Sequence, residues 1–131
     1  MKEFTPNEKE IEAFLSLADE SLRSAKLRLK EDFYRGTVSD SYYAVFYTAK
    51  ALLLDKGLIS KTHTGTVRLF GENFIKTGII EKKYGQWLSS LLQERTEADY
   101  DALREFDFEE ASQAVSLAED FTAGTKTLFE K

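Results

Sequence analysis

The stretch DSYYAVFYTAKALLLDKG, Asp40 to Gly57, decides the fold. Val38 just ahead of it, then Tyr42, Val45, Ala49 and Leu52, recur at alternating steps of four and three, which is one apolar stripe on a helix. Tyr43, Phe46, Tyr47 and Leu53 widen that stripe nearly all round. A helix apolar on most faces is central to a bundle or shared with another subunit. It is no membrane span. The apolar run from Tyr42 to Leu54 is short and holds Thr48 and Lys50, whereas a span needs about 20 predominantly apolar residues. Lys56-Gly57 supplies its stop.

On the N-terminal side, Ile11, Leu15, Ala18, Leu22, Ala25 and Leu29 form a second, narrower stripe with Glu, Asp, Lys and Arg opposite. Thr5 as cap, Pro6 at the first helical position and Glu8 three residues after the cap mark where this first helix starts. It is expected to end between Asp32 and Gly36, with Gly36 as the stop and Thr37 capping the central helix. On the C-terminal side, Val67, Phe70, Phe74 and Ile75 predict a shorter third helix, weakened by Gly71 and closed at Gly78. A fourth runs from about Ile80 through Trp87, Leu88, Leu91 and Leu92 to about Ala98. A fifth begins near Phe108-Glu109 and continues through Ala111, Ala114, Val115, Ala118 and Phe121, fraying toward Lys131. No segment alternates as a strand does between hairpin turns. The reading is an all-α, single-domain antiparallel bundle of up to five helices over residues 1–131.

The totals agree. A chain of 131 residues with 42% hydrophobic and 31% charged residues, one proline and seven glycines suits one helical domain with a real core. The net charge of −5 argues against coating nucleic acid by bulk electrostatics, though not against a local basic patch. With no cysteine there is no disulfide, thiolate nucleophile or cysteine metal site. The polar, acidic start MKEFTPNEKEIE does not read as a signal peptide, and a cytoplasmic protein off the membrane is expected. Phosphate-binding glycine loops, dinucleotide fingerprints, HExxH and GxSxG are absent, and one histidine makes no histidine-rich metal site. No metal or cofactor is expected.

The candidate chemistry gathers where the fourth helix runs out, in QERTEADYDALREFDF, Gln93 to Phe108. Arg95 follows an apolar stripe, and a helix end is a good place to present a guanidinium fork to phosphate. Arg95 and Asp99 are four apart and face each other on a helix. As an exposed pair they would contribute only about 0.3–0.5 kcal/mol. His63, in SKTHTGTVRLF, is the one group whose ordinary pKa lies near neutrality. A lone histidine is more often bonded to nearby backbone than catalytic. The cluster SYYAVFY is first of all core, but it holds more aromatics than one stripe needs, and tyrosine is favoured at interfaces.

Three motifs in this order, SDSYYAVFYTAKALL, KTHTGTVRLFGENFIKTG and RTEADYD, resemble the HEPN domain family, and within it a group of small stand-alone prokaryotic proteins. The resemblance covers about Glu10 to Phe129. It implies a helical bundle that forms a homodimer, often beside a minimal nucleotidyltransferase encoded next to it as a toxin–antitoxin-like pair. Many HEPN domains are metal-independent endoribonucleases in which an arginine is followed four to six residues later by a histidine. Histidine there handles a proton and arginine stabilises the phosphorane charge. Arg95 matches the arginine, but Tyr100 stands where the histidine is expected, and no histidine follows His63. A phenol with a pKa of about 10 is a poor base at neutral pH. Ala98, Asp99, Tyr100 and His63 do match residues typical of the subgroup.

The resemblance therefore implies a homodimeric module with a degenerate catalytic motif, binding nucleotide, RNA or a nucleotidyltransferase partner. Arg95 is expected to contact phosphate, Asp99 to orient Arg95, and Tyr100 to stack or hydrogen-bond. Asp40 and Tyr43, one turn apart on the central helix, are expected to face the same cleft. Two alternatives stand beside it. One is an active endoribonuclease using Arg95 with His63 or Tyr100. The other is a non-catalytic structural dimerisation protein.

Overall fold

The computed structural model describes residues 6–129, which form five α-helices and, among the described residues, no strand. The helices are α1 (Pro6–Lys30), α2 (Tyr34–Asp55), α3 (His63–Phe70), α4 (Lys82–Tyr100) and α5 (Phe108–Thr125). A wider π-turn, Gly71–Ile75, prolongs α3, and a tight turn, Lys126–Phe129, follows α5. Pro6 opens α1 as expected, while the Thr5 cap lies outside the described residues.

The central helix is α2. It packs along α1 and also meets α3, α4 and α5. Val38, Tyr42, Val45 and Ala49 are fully buried, and so are Ala44 and Leu53 on its other faces. A helix wrapped on most sides can be apolar on most sides, which is what its sequence shows. Around it, Phe70 of α3 stacks near Phe121 of α5, with ring centroids 5.6 Å apart, and Leu88 and Leu91 of α4 complete the core. Phe70 and Phe74 both enter this core, the second from the π-turn.

Where helices stop is set by hydrogen bonds at their ends. Gly57, at φ 78°, closes α2, with Gly57 N–H bonded to Leu54 O and Leu58 N–H to Leu53 O, the pattern of a glycine C-terminal stop. The end of α1 uses the same pattern but with Asp32, at φ 63°, in the left-handed position. Asp32 N–H bonds Leu29 O and Phe33 N–H bonds Arg28 O. Aspartate tolerates this conformation better than most residues. The expected stop and cap at Gly36 and Thr37 are thus corrected. Both lie in the first turns of α2, and Gly36 is small because Arg28 crosses it, where a Cβ would collide with the guanidinium. At Gly71 the third helix weakens, as expected, without turning away. The chain widens there, with Lys76 N–H bonded to Gly71 O at 2.8 Å, and turns only at Gly78, φ 79°.

The fourth helix runs one turn-half further than its apolar pattern, to Tyr100, because Arg35 of α2 reaches its last carbonyls. The Arg35 guanidinium donates to Ala98 O at 2.5 Å, to Asp101 O at 3.1 Å and to Arg104 O. Helix-terminal carbonyls lack partners within the helix, and a cation there satisfies them and suits the dipole. Beyond the short loop, Asp107 caps α5 in a full capping box with Glu110. Arg104 ties the loop to both helices through Glu97 at 2.9 Å and Glu110 at 2.5 Å. These contacts hold the Glu110 carboxyl below the usual range, Arg104 first, then the Asp107 backbone.

Candidate functional site

Four residues of α4 are buried, Leu88, Leu91, Arg95 and Ala98. They follow one another at steps of three and four, so Arg95 occupies a place in the core stripe that pattern alone would give to an apolar residue. It is 9% exposed. A guanidinium in such a place is costly unless its charge and donors are met.

The central helix meets them in part. Arg95 Nη2 donates to the Tyr43 hydroxyl at 2.9 Å. Its guanidinium carbon lies 5.4 Å from the Tyr43 ring centre, 5.8 Å from Tyr42 and 5.7 Å from Tyr100, within reach for attraction to the ring faces. Asp99 Oδ2 stands 2.8 Å from Arg95 Nε, close enough for an ion pair but off the axis of the N–H. That N–H is sealed from solvent and has no hydrogen-bond acceptor. Burial works against the charge, yet Tyr43 and Asp99 outweigh it, and the guanidinium pKa is raised. Asp99 is held in turn by Ser39, whose hydroxyl donates to Oδ1 at 3.2 Å.

His63 opens α3 behind the cap Thr62, whose side chain accepts from Gly65 N–H at 2.8 Å. The ring packs on the same aromatic face as Arg95, with its centroid 6.0 Å from Tyr43 and 4.6 Å from Phe46. Its Nδ1 is 2.7 Å from the Tyr42 hydroxyl. Burial lowers the imidazole pKa, and the positive charges of Arg95 and Lys50 lower it further against a smaller opposing effect of Asp99. His63 and Arg95 therefore pack on the same pair of tyrosines, Tyr42 and Tyr43, within a single chain.

The expected site residues fall into two groups. Arg95, Asp99, Tyr43 and His63 come together. Tyr100 adjoins them with its ring 75% exposed, at the lip of the cleft. Asp40 does not join them. It faces α1, where it pairs with Arg28 Nε at 3.1 Å and accepts from Ser24 at 2.5 Å. One helical turn carries it round to the neighbouring groove, a space of about 680 Å³ that Ser39 and Asp99 also line. Tyr42 was read only as core, although a tyrosine at a fully buried stripe position needs a partner for its hydroxyl, and that need is visible in the sequence. The roles of Arg35 and Arg104 depend on loop geometry and left no periodic signal.

The architecture is an all-α bundle in which a buried arginine near the end of one helix packs against tyrosines of the central helix. The family model of the HEPN domain matches residues 11–127 of the chain. The chain belongs to the HEPN domain family. It is 39% identical over 112 residues to "Putative toxin MJ0605" of Methanocaldococcus jannaschii, covering 86% of this chain and 83% of that protein. It is 38% identical over 126 residues to a "UPF0332 protein" of Thermotoga maritima, covering 95% and 96%. A second M. jannaschii relative, again named as a toxin of that standing, is 34% identical over 118 residues, 90% of this chain and 80% of its own length. No described helix is long and apolar enough to cross a membrane.

Proposed function

We propose that the protein is a homodimeric HEPN module that binds a phosphate-bearing ligand, nucleotide or RNA, at Arg95, in a toxin–antitoxin-like setting with a minimal nucleotidyltransferase as partner. The observation that carries the reading is the buried guanidinium of Arg95, fixed by Tyr43 and Asp99, with its Nε–H lacking an acceptor. An oxyanion that reaches the solvent side of this guanidinium adds acceptors and negative charge beyond the single Asp99 carboxylate that faces its sealed Nε. Asp99 orients the guanidinium, Tyr43 accepts from it, and the exposed ring of Tyr100 offers a face on which a base can stack. The adjoining groove along Ser39 and Asp99 gives a longer ligand room to continue. The relatives named as toxins support the setting, and exposed Tyr100 and Leu103 beside the cleft support a second copy there.

A second reading, a metal-independent endoribonuclease, is favoured by one observation, the packing of His63 against the tyrosines that hold Arg95. Incubation of total RNA and tRNA with purified protein in EDTA separates the two. The binding module leaves the RNA intact, while an Arg95→Ala variant loses the affinity for nucleotide that the parent shows. Cleavage that disappears in both Arg95→Ala and His63→Ala would replace the binding reading with the nuclease.

A further inference from the structure

Tyr42 is fully buried, and its hydroxyl has one partner, His63 Nδ1 at 2.7 Å. Among the described residues the hydroxyl has no second hydrogen-bond partner, and rings and the Arg95 guanidinium pack against the phenol. Tyr43 lies 5.3 Å away and Phe46 5.5 Å, centre to centre, and Arg95 stands over the ring face. The two possible arrangements of the shared proton are therefore unequal. If Nδ1 carried a proton, the Tyr42 oxygen would accept it, and the phenol's own proton would point into an apolar shell with no acceptor. If Nδ1 is bare, the phenol donates to it and every group is satisfied. Burial also keeps Tyr42 a phenol, since its pKa is raised, mainly by desolvation and against the pull of Arg95.

We propose that Tyr42 is a positioning residue that holds neutral His63 with its proton on Nε2, so that His63 meets a bound phosphate as a hydrogen-bond donor and not as a base. The tautomer follows from the Tyr42 contact alone, while the donor role rests on the phosphate-binding reading of Arg95. Nε2 has no protein partner, and it is not among the sealed, unpartnered polar atoms of the described residues, which are Ser41 Oγ and Arg95 Nε. It is thus open to solvent on a half-buried ring. The cleft then turns donors toward a ligand from both sides, the imidazole N–H of α3 and the guanidinium of α4. The charges facing the imidazole are Lys50 of α2 and Arg95 and Asp99 of α4, and burial first, then the two cations, favour the neutral ring against Asp99. A histidine held in this way cannot take a proton from a nucleophile without first breaking the Tyr42 bond.

One histidine in the chain makes the test direct, because the ring signals need no assignment. Long-range proton–nitrogen correlation spectra of uniformly labelled protein, taken well above the histidine pKa, read the tautomer without any variant. The expected result is a protonated Nε2 and a bare Nδ1. Tyr42→Phe should bring in the other tautomer and raise the His63 pKa, since the lost bond favoured the neutral ring. Tyr47→Phe, which removes a hydroxyl that does not touch His63, should leave both unchanged. A proton found on Nδ1 in the parent protein, or a Tyr42→Phe spectrum identical to the parent, overturns the positioning role. Inorganic phosphate then tests the donor role, and it should shift the Nε2–H signal together with the Arg95 side-chain signals. Phosphate that moves Arg95 but not Nε2 overturns the donor role alone. Phosphate that moves neither overturns the anion reading of the cleft and the donor role with it, leaving the tautomer standing.

Discussion

At the scale of the residue, Arg95 and His63 carry opposite electrostatic situations in one cleft. Arg95 keeps its charge because Tyr43 and Asp99 more than offset its burial. Its planar fork matters as much as its charge, so Arg95→Lys, which retains only a point charge, should not rescue ligand binding. Loss of charge-assisted bonds of about 1.5–3 kcal/mol should weaken a phosphate ligand roughly tenfold to a hundredfold, as read by calorimetric titration. His63, by contrast, is held neutral, its pKa below the ordinary 6.5 through burial and the nearby cations. As pH falls below 6.5 the unfolded chain takes up the proton first, so stability is full above that value and declines as pH drops through the folded-state pKa. Urea unfolding at a series of pH values should show this decline in the parent and its absence in His63→Gln. Parallel curves would contradict it.

At the scale of the element, the site depends on an arginine that does not touch it. Arg35 binds the last carbonyls of α4, and those carbonyls belong to the turn that carries Asp99 and Tyr100. Because Arg35 is exposed, its removal should cost only about 1 kcal/mol of global stability. Hydrogen exchange should nonetheless rise at Asp99 to Asp101 in Arg35→Ala, while the amides around Leu88 stay protected. Uniform protection would mean that the α4 end holds without it. This clamp also shows why some boundaries were legible in the sequence and others were not. Gly57 and Gly78 were read as stops, and both take the left-handed conformation that glycine adopts freely. Asp32 does the same work for α1, but an aspartate carries no such plain signal, and the eye passes on to Gly36. The apolar pattern of α4 stops two residues short of Tyr100, because the partner of its last carbonyls comes from 60 residues and more away in sequence. Periodicity sees one helix at a time.

At the scale of the whole molecule, the two apolar stripes and the all-round apolar helix between them were enough to give the bundle. The helices follow those stripes, and Ala18, Ala25, Tyr42, Val45 and Ala49 are buried where the pattern puts them. Truncating a core residue should therefore be felt throughout, and Leu88→Ala in the core face of α4 should cost about 2–5 kcal/mol in thermal or urea unfolding. The site was legible in its parts. Arg95, Asp99, Tyr43 and His63 each stood out by type or spacing, but that His63 reaches the others depends on the α2–α3 loop returning the chain to the middle of α2. Asp40 was misplaced because one turn on a helix packed on many sides leads to a different neighbour. The proposed dimer belongs to this scale as well. Sedimentation should give twice the chain mass, and Leu103→Asp, a charge at the most exposed apolar residue beside the cleft, should shift it toward the monomer. A monomer at every concentration would remove the second copy from the account.

The central claim is that the buried Arg95 waits for a phosphate. The most direct measurement is calorimetric titration of the protein with adenosine 5′-monophosphate and with a short oligoribonucleotide, run for the parent and for Arg95→Lys at matched fold and salt. Saturable binding by the parent that falls at least tenfold in Arg95→Lys is the predicted result, by the strength of charge-assisted bonds. Equal affinity in both proteins, or no binding of either ligand by the parent, would contradict it and leave Arg95 as a buried structural ion.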